Sequence, residues 1–163
     1  MKKILVILLL TNSAFSQGKL ALEFKDLIGT TFTNDVPITA LKSYRNEQGV
    51  VIGNPNEGWF FSTIEVYKKG NQAVVLLSKK IKSNPDEYKI IDVLKIIAIP
   101  KNNEIRISDC FRKNGFPNES LITVVFSGSK RQVKIIKQAY VLRDIRFEKT
   151  SIKGIKCFNQ GIE

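Results

Sequence analysis

The sequence predicts a mainly-β fold: a single antiparallel β-sandwich or open-barrel domain with at most one short helix. Two observations carry this. Residues 58–80, GWFFSTIEVYKKGNQAVVLLSKK, read as two strands joined by a tight turn. Short apolar or β-branched runs then recur roughly every ten residues with turn residues between them, the pattern of sandwiches and barrels. Within the hairpin, residues 59–67 are dense in aromatic and β-branched side chains. Lys68, Lys69, Gly70 and Asn71 form the turn, because Gly and Asn tolerate positive φ. Residues 73–77 are apolar at every position, as expected of a strand covered on both faces.

Residues 1–16 are expected to be a cleaved export signal. Lys2 and Lys3 form a basic start, residues 4–10 an apolar run, and Ala14, Phe15 and Ser16 a small-residue cleavage site before Gln17. The run is shorter than the roughly 20 apolar residues that a permanent span needs. No cysteine stands near the cleavage point, which argues against a lipid anchor. The expectation is a soluble exported protein, periplasmic or secreted, with residues 17–163 as one β-rich domain and no transmembrane anchor after signal removal.

In chain order, residues 17–26 are mixed, with Phe24, Leu27 and Ile28 as candidate core positions. Residues 29–33 have strand composition and turn at Asn34-Asp35. Residues 37–44 permit a helical turn or two through the spacing of Ile38, Leu41 and Tyr44. Gln48-Gly49 reads as a turn into a short strand over residues 50–52. Residues 53–58, GNPNEG, are a strong loop signal ahead of the central hairpin. A further turn at residues 83–86 leads into residues 88–99, which are ambiguous. Apolar positions 90, 91, 93, 94 and 97 fit a helix, and Lys89, Asp92 and Lys95 recur every third residue. The wealth of Ile and Val and the terminating Pro100 favour a strand, bulged near Asp92. Residues 104–108 alternate with Ile105 and Ile107 on one face. Residues 109–119 read as a polar loop, 121–126 as a buried strand, 127–130 as a turn and 133–142 as the last long strand. Residues 145–152 are expected to pair back on it, and Gly154 opens the tail.

Cys110 and Cys157 are the two cysteines. In an exported chain an isolated pair reads as a disulfide, the alternative being two unpaired thiols. Their spacing matches neither a metal site nor a CxxC redox motif.

The segments YKIIDVLKI, DCFRKNG, SLITVVF and KGIKCFNQG follow one another in the C-terminal half. In that order, behind an export signal, they resemble a group of small exported bacterial proteins of unknown function. The KGIxCxNxG-like tail is the most specific of these pieces. The resemblance implies no activity.

The chain contains no histidine. That excludes Ser-His-Asp and Cys-His catalysis, histidine general bases and histidine metal ligands. Neither GxxxxGK[ST] nor GxGxxG occurs. No catalytic, cofactor-binding or metal-ligating set is therefore assigned. A hydrolase using carboxylates alone remains open, with Asp92 the acid of interest because it interrupts an apolar run; a bulge or edge position facing water is the plainer account of it. Trp59, Phe60 and Phe61 could offer one exposed ring, although core packing explains them as well.

Without Lys2 and Lys3, the 26 basic and 15 acidic residues give a net charge of +9 in place of +11. Lys79, Lys80 and Lys82 form one basic group; Lys130, Arg131, Lys134 and Lys137 form another. The second is a candidate surface for an anionic ligand, with Lys130, Lys134 and Gln138 on one face if residues 130–138 are a single strand. Solubility and protection of sheet edges account for the same lysines. Nucleic acid is disfavoured for an exported protein; it would also want exposed aromatics interleaved with the basic residues, and most aromatics here lie in strand-like apolar runs. The leading expectation is a non-enzymatic binding or interaction module of the cell envelope, whose partner is an envelope or secreted protein or an anionic polymer. The alternative is an inhibitor or immunity-type protein that plugs an acidic target with residues 53–58 or 109–119.

Overall fold

A strand that is apolar on both sides must be covered twice, and the architecture follows from two such strands. The computed structural model describes residues 24–36, 38–53, 62–112, 121–126, 132–133 and 135–158. Twelve strands occur among them: β1 (Thr31–Thr33), β2 (Arg45–Ile52), β3 (Ser62–Lys69), β4 (Gln72–Ser83), β5 (Asp86–Ile96), β6 (Asn103–Ile107), β7 (Cys110–Arg112), β8 (Leu121–Phe126), β9 (Gln132–Val133), β10 (Ile136–Arg143), β11 (Arg146–Lys149) and β12 (Ile155–Phe158). Single 3₁₀ turns at Lys25–Leu27 and Thr39–Leu41 are the helical elements among the described residues. Residues 1–16, read above as an export signal, and the aromatic triplet at 59–61 lie outside the described residues.

The strands form three antiparallel sheets, ordered β1-β5-β4-β3-β2, β11-β10-β8-β6 and β7-β12-β9. The predicted sandwich is thus present, and no sheet closes into a barrel. The first two sheets pack face to face. Ile64, Val66, Val75, Leu77 and Ile96 from one meet Ile105, Ile107, Ile122 and Val124 from the other, all essentially buried. The opposite face of the first sheet, with Val74, Leu76 and Ile90, is covered by Phe24, Leu27, Phe32, Ile38, Leu41 and Tyr44 of the N-terminal segment. The far face of the second sheet, with Leu121, Val125 and Ala139, is covered by Cys110, Ile155 and Cys157 of the third sheet. So β4 and β8 each bury both of their faces.

The central hairpin is present with a shorter turn than its sequence predicts, because Lys68 and Lys69 belong to β3. β3 and β4 pair from Ser62↔Lys79 to Lys69↔Gln72, so the turn is the two residues Gly70 and Asn71. Gly70 takes positive φ (59°), as a tight hairpin turn that leads with glycine requires.

Residues 88–96 are strand, and the bulge falls beside Asp92. Leu77 pairs with Asp92 but Ser78 pairs with Ile90, which leaves Ile91 as the extra residue. The inserted residue reverses the alternation, so that Lys89 and Asp92, three positions apart, share one side of the strand, while Lys95 lies on the other, 5.0 Å from the Phe24 ring centroid. Tyr88 and Ile90 face the N-terminal segment, whereas beyond the bulge Leu94 and Ile96 face the second sheet. Asp92 shares that inner side. Its Oδ2 accepts the backbone N–H of Phe147, on edge strand β11, at 2.7 Å. The carboxylate therefore ties the two sheets together by capping an edge amide.

Four readings need correction. Gln48 and Gly49 lie inside β2, which begins at Arg45 and carries a bulge at Glu47. The loop expected at 109–119 starts as strand β7, because Cys110 pairs directly with Cys157. Residues 133–142 are not one strand. Gln132 and Val133 pair with β12 in the third sheet, while Ile136–Arg143 pairs with β8 in the second. Asp86 is not a solvated turn residue: it opens β5 and pairs with the buried Lys80 at 2.7 Å.

Cys110 and Cys157 form the disulfide, with Cα atoms 4.3 Å apart on strands in register. Thr123 on β8 sets its hydroxyl 3.0 Å from the Cys110 Sγ, so the crosslink sits against the sheet it covers. In the chain-entropy model, closing a loop of 47 residues stabilises the fold by about 4 kcal/mol. Reduction, or replacement of both cysteines by Ala, should lower the unfolding free energy by about that amount in a urea titration. Asp92→Ala should cost about 1–3 kcal/mol in the same assay by leaving the Phe147 amide without its acceptor. An unchanged midpoint for Asp92→Ala would mean that this bond contributes nothing to holding the sheets.

Candidate functional site

Alternation on β3 sends Thr63, Glu65 and Tyr67 to one face and Ile64 and Val66 to the other. The even-numbered pair is core; the odd-numbered three point to the outer face of the first sheet. The N-terminal segment covers that face over β4 and β5 and leaves it open toward β2. A groove of about 490 Å³ results. Thr63, Glu65 and Tyr67 lie along it, Phe32, Ile38, Leu41, Tyr44 and Tyr88 contribute apolar and aromatic wall, and Val36 and Val51 stand at its rim. Those two valines are 62% and 58% exposed, the most exposed of the large apolar side chains described.

The polar groups of the groove are few and specific. Tyr67 donates its hydroxyl to Glu65 Oε2 at 2.6 Å. Burial, then the hydrogen bond and charge of Glu65, hold the Tyr67 hydroxyl well above the ordinary tyrosine range, against a smaller opposing bond to Asn46. Glu65 is half-buried and, among the described residues, forms no ion pair. The Thr63 hydroxyl is buried and has no hydrogen-bond partner among the described residues, and neither has that of Ser78, directly opposite it on β4. Gly49 on β2 is the cross-strand partner of Glu65. A Cβ built there would stand 3.8 Å from Glu65 Cγ, an ordinary contact, and the Gly49 φ is not positive. Neither crowding nor backbone conformation requires glycine at this position; its effect is to leave Glu65 uncovered on the edge side.

Two cations border the groove. Lys42 lines it from an exposed position, and Lys69 lies 5.7 Å from the Tyr44 ring centroid, 3.0 Å from Ser43 Oγ. A second, smaller hollow beside β6 brings together Gln48, Glu104, Arg106 and Asp109. Burial raises the Asp109 carboxyl above its ordinary range; Arg106 opposes this and Glu104 adds to it. Arg106 is bound by Glu104, so this hollow is internally compensated. Among the described residues no cluster of His, Cys, Asp or Glu could hold a metal ion, and no helix is long and apolar enough to cross a membrane.

Of the basic residues singled out in the sequence, Lys79, Lys80, Lys82 and Lys137 are among the described residues. Lys79 and Lys82 are exposed but Lys80 is buried in its ion pair with Asp86. Lys137 is exposed at the bulge of β10. Lys130, Arg131 and Lys134 lie outside the described residues, as do residues 54–58 and 113–119 of the two expected plug loops. The break between β9 and β10 means that the proposed stripe does not run along one strand. Asp92 is engaged with the Phe147 amide and is remote in role from the groove.

Glu65, Thr63 and Tyr67 were legible only as strand composition. The signal available was that Glu65 is the one acid in STIEVY and shares its face with a hydroxyl on either side at i±2. No protein-family model, curated protein or solved structure matches the chain.

The tyrosines give a pH test. Tyr67 and Tyr140 are both raised, Tyr140 by burial. The unfolded hydroxyls ionise near pH 10 and the folded ones later. Their stabilisation is therefore complete below about pH 10 and is lost as pH rises through the folded values. Tyr67→Phe should reduce the late-ionising absorbance at 295 nm, leaving the share of Tyr140, and make the loss of stability above about pH 10 shallower. An unchanged alkaline titration would show that Tyr67 is not the protected group.

Proposed function

We propose that this protein is an exported, non-enzymatic binding module whose ligand enters the groove over Thr63, Glu65 and Tyr67. The observation that carries the reading is a half-buried carboxylate, Glu65, that forms no ion pair among the described residues and lies in an apolar-rimmed groove. Ligand sites combine concave apolar walls with a few convergent polar groups, and this volume lies in their usual range.

Export is supported by the signal-like residues 1–16 and by the Cys110–Cys157 disulfide, since disulfides persist in oxidising compartments. A non-catalytic role is supported by the histidine-free composition and by the structural engagement of Asp92. The favoured partner is an envelope or secreted protein, and an anionic polymer on the lysine surface is the competing outcome.

The test is capture from the envelope and secreted fractions by immobilised residues 17–163, at low and high salt. A saturable, stoichiometric partner should be recovered by the wild type, lost with Val51→Arg at the exposed rim, and unaffected by Lys137→Glu. Capture that survives Val51→Arg would remove the groove from the mechanism. Diffuse recovery of anionic polymer, abolished by salt and weakened by Lys137→Glu, would place binding on the lysines instead.

A further inference from the structure

The groove is open on the side of β2, and β2 is an edge: among the described residues no strand pairs with its outer side. Edge strands are templates for a further strand, and natural proteins blunt them with charge and bulges. Here the blunting is confined to one half. Arg45 and Glu47 form an ion pair at 2.7 Å, Lys68 stands 3.8 Å from Glu47, and the bulge falls at Glu47. From Gln48 to Ile52 the strand runs in unbroken register with β3 and bears no charge. Within that half, Gly49 and Val51 face the groove. Gly49 leaves the Glu65 carboxylate reachable across the edge, and Val51 supplies an exposed apolar wall beside it.

We infer that an extended segment of a partner polypeptide adds along residues 48–52 of β2 and passes a lysine or arginine side chain over Gly49 onto the Glu65 carboxylate. This rests on the groove being the ligand site. Main-chain pairing supplies affinity in such strand addition, and side-chain pockets supply selectivity. The chemistry of the pocket selects a cation on an apolar stem. Glu65 accepts a charge-assisted hydrogen bond, and the aliphatic stem packs on Val51. Tyr67 fixes the carboxylate from its far side at 2.6 Å and stays protonated while doing so. The Thr63 hydroxyl is the remaining unsatisfied group next to the same carboxylate. Lys42 is exposed on the opposite, N-terminal wall, where water hydrates it.

The experiment is a ¹⁵N–¹H titration of residues 17–163 with the capped pentapeptide acetyl-Thr-Val-Lys-Val-Thr-amide. Its norleucine and glutamate counterparts, and n-butylamine, serve as comparisons. The lysine peptide should shift the amides of Gly49, Val51, Thr63 and Glu65 saturably. The norleucine and glutamate peptides should bind at least about tenfold more weakly, and Glu65→Gln should erase that difference. Gly49→Val should weaken the lysine peptide by a similar factor while leaving the thermal midpoint equal or higher, because valine suits an extended strand better than glycine. Equal binding of the norleucine peptide would overturn the cation and leave the groove standing. Equal binding of butylamine would overturn the added strand. No shift at about 5 mM peptide, a concentration that detects even millimolar affinity, would overturn the inference entire. The Val51→Arg capture experiment decides separately whether the groove is a site at all.

Discussion

Two strands without a polar face set the terms for the whole molecule. β4 presents Val75 and Leu77 to one side and Val74 and Leu76 to the other, all essentially inaccessible to solvent. β8 does the same with Ile122 and Val124 against Leu121 and Val125. Burying each such side chain contributes roughly 1.5–3 kcal/mol relative to leaving it exposed. Two sheets packed face to face satisfy only half of these faces. The chain answers with two further covers, the N-terminal segment over β4 and the small third sheet over β8. The order of layers thus follows from where the sequence places its uninterrupted apolar runs.

Much of this was readable from the residues. AVVLL announced a doubly covered strand, and Gly70-Asn71 the turn before it. The alternation of Ile105 and Ile107 gave the correct inward face of β6, and the isolated Cys110–Cys157 pair gave the crosslink. The ambiguity at residues 88–99 had a physical origin. A bulge superimposes two opposite alternations on one segment, and their sum imitates a helical period. The unforeseen division into β9 and β10 has a similar cause: local composition favours strand throughout, but the partner changes from β12 to β8, and a change of sheet leaves little trace in composition. The groove was hidden for a further reason. Its floor is an ordinary-looking strand, and its walls come from the N-terminal segment and from Tyr88 on β5, so that no single stretch carries the site.

The same geometry explains why the groove lies where it does. The N-terminal segment reaches across β5 and β4 with β1 and a 3₁₀ turn, placing Leu41 and Phe24 over Val74, Leu76 and Ile90. β1 has three residues and pairs at the β5 edge, on the side of the sheet far from β2. The cover therefore comes in from that side and thins out over β3. What it leaves uncovered is the strip where β3 turns from apolar to polar on its outer face, at Thr63, Glu65 and Tyr67. A polar strip with no cover would be plain solvated surface. Flanked by Phe32, Tyr44 and Tyr88, it becomes a partly desolvated recess, in which charge and hydrogen bonds act more strongly than on open surface.

The two outer covers differ in how they are held. The third sheet is bonded covalently to itself through Cys110 and Cys157 and rests its sulfur on Thr123. The N-terminal cover is held, among the described residues, by side-chain packing and a short strand pairing, with the rings of Phe32 and Tyr88 stacked 5.6 Å apart and those of Phe24 and Tyr44 meeting edge to face. Surfaces that must admit a ligand are drawn from the less constrained parts of a fold, because a local adjustment there disturbs fewer buried contacts. The crosslink stabilises the face opposite the groove, with both central sheets between them. A molecule so built can keep its core and its stapled side unchanged while the wall of the groove adjusts.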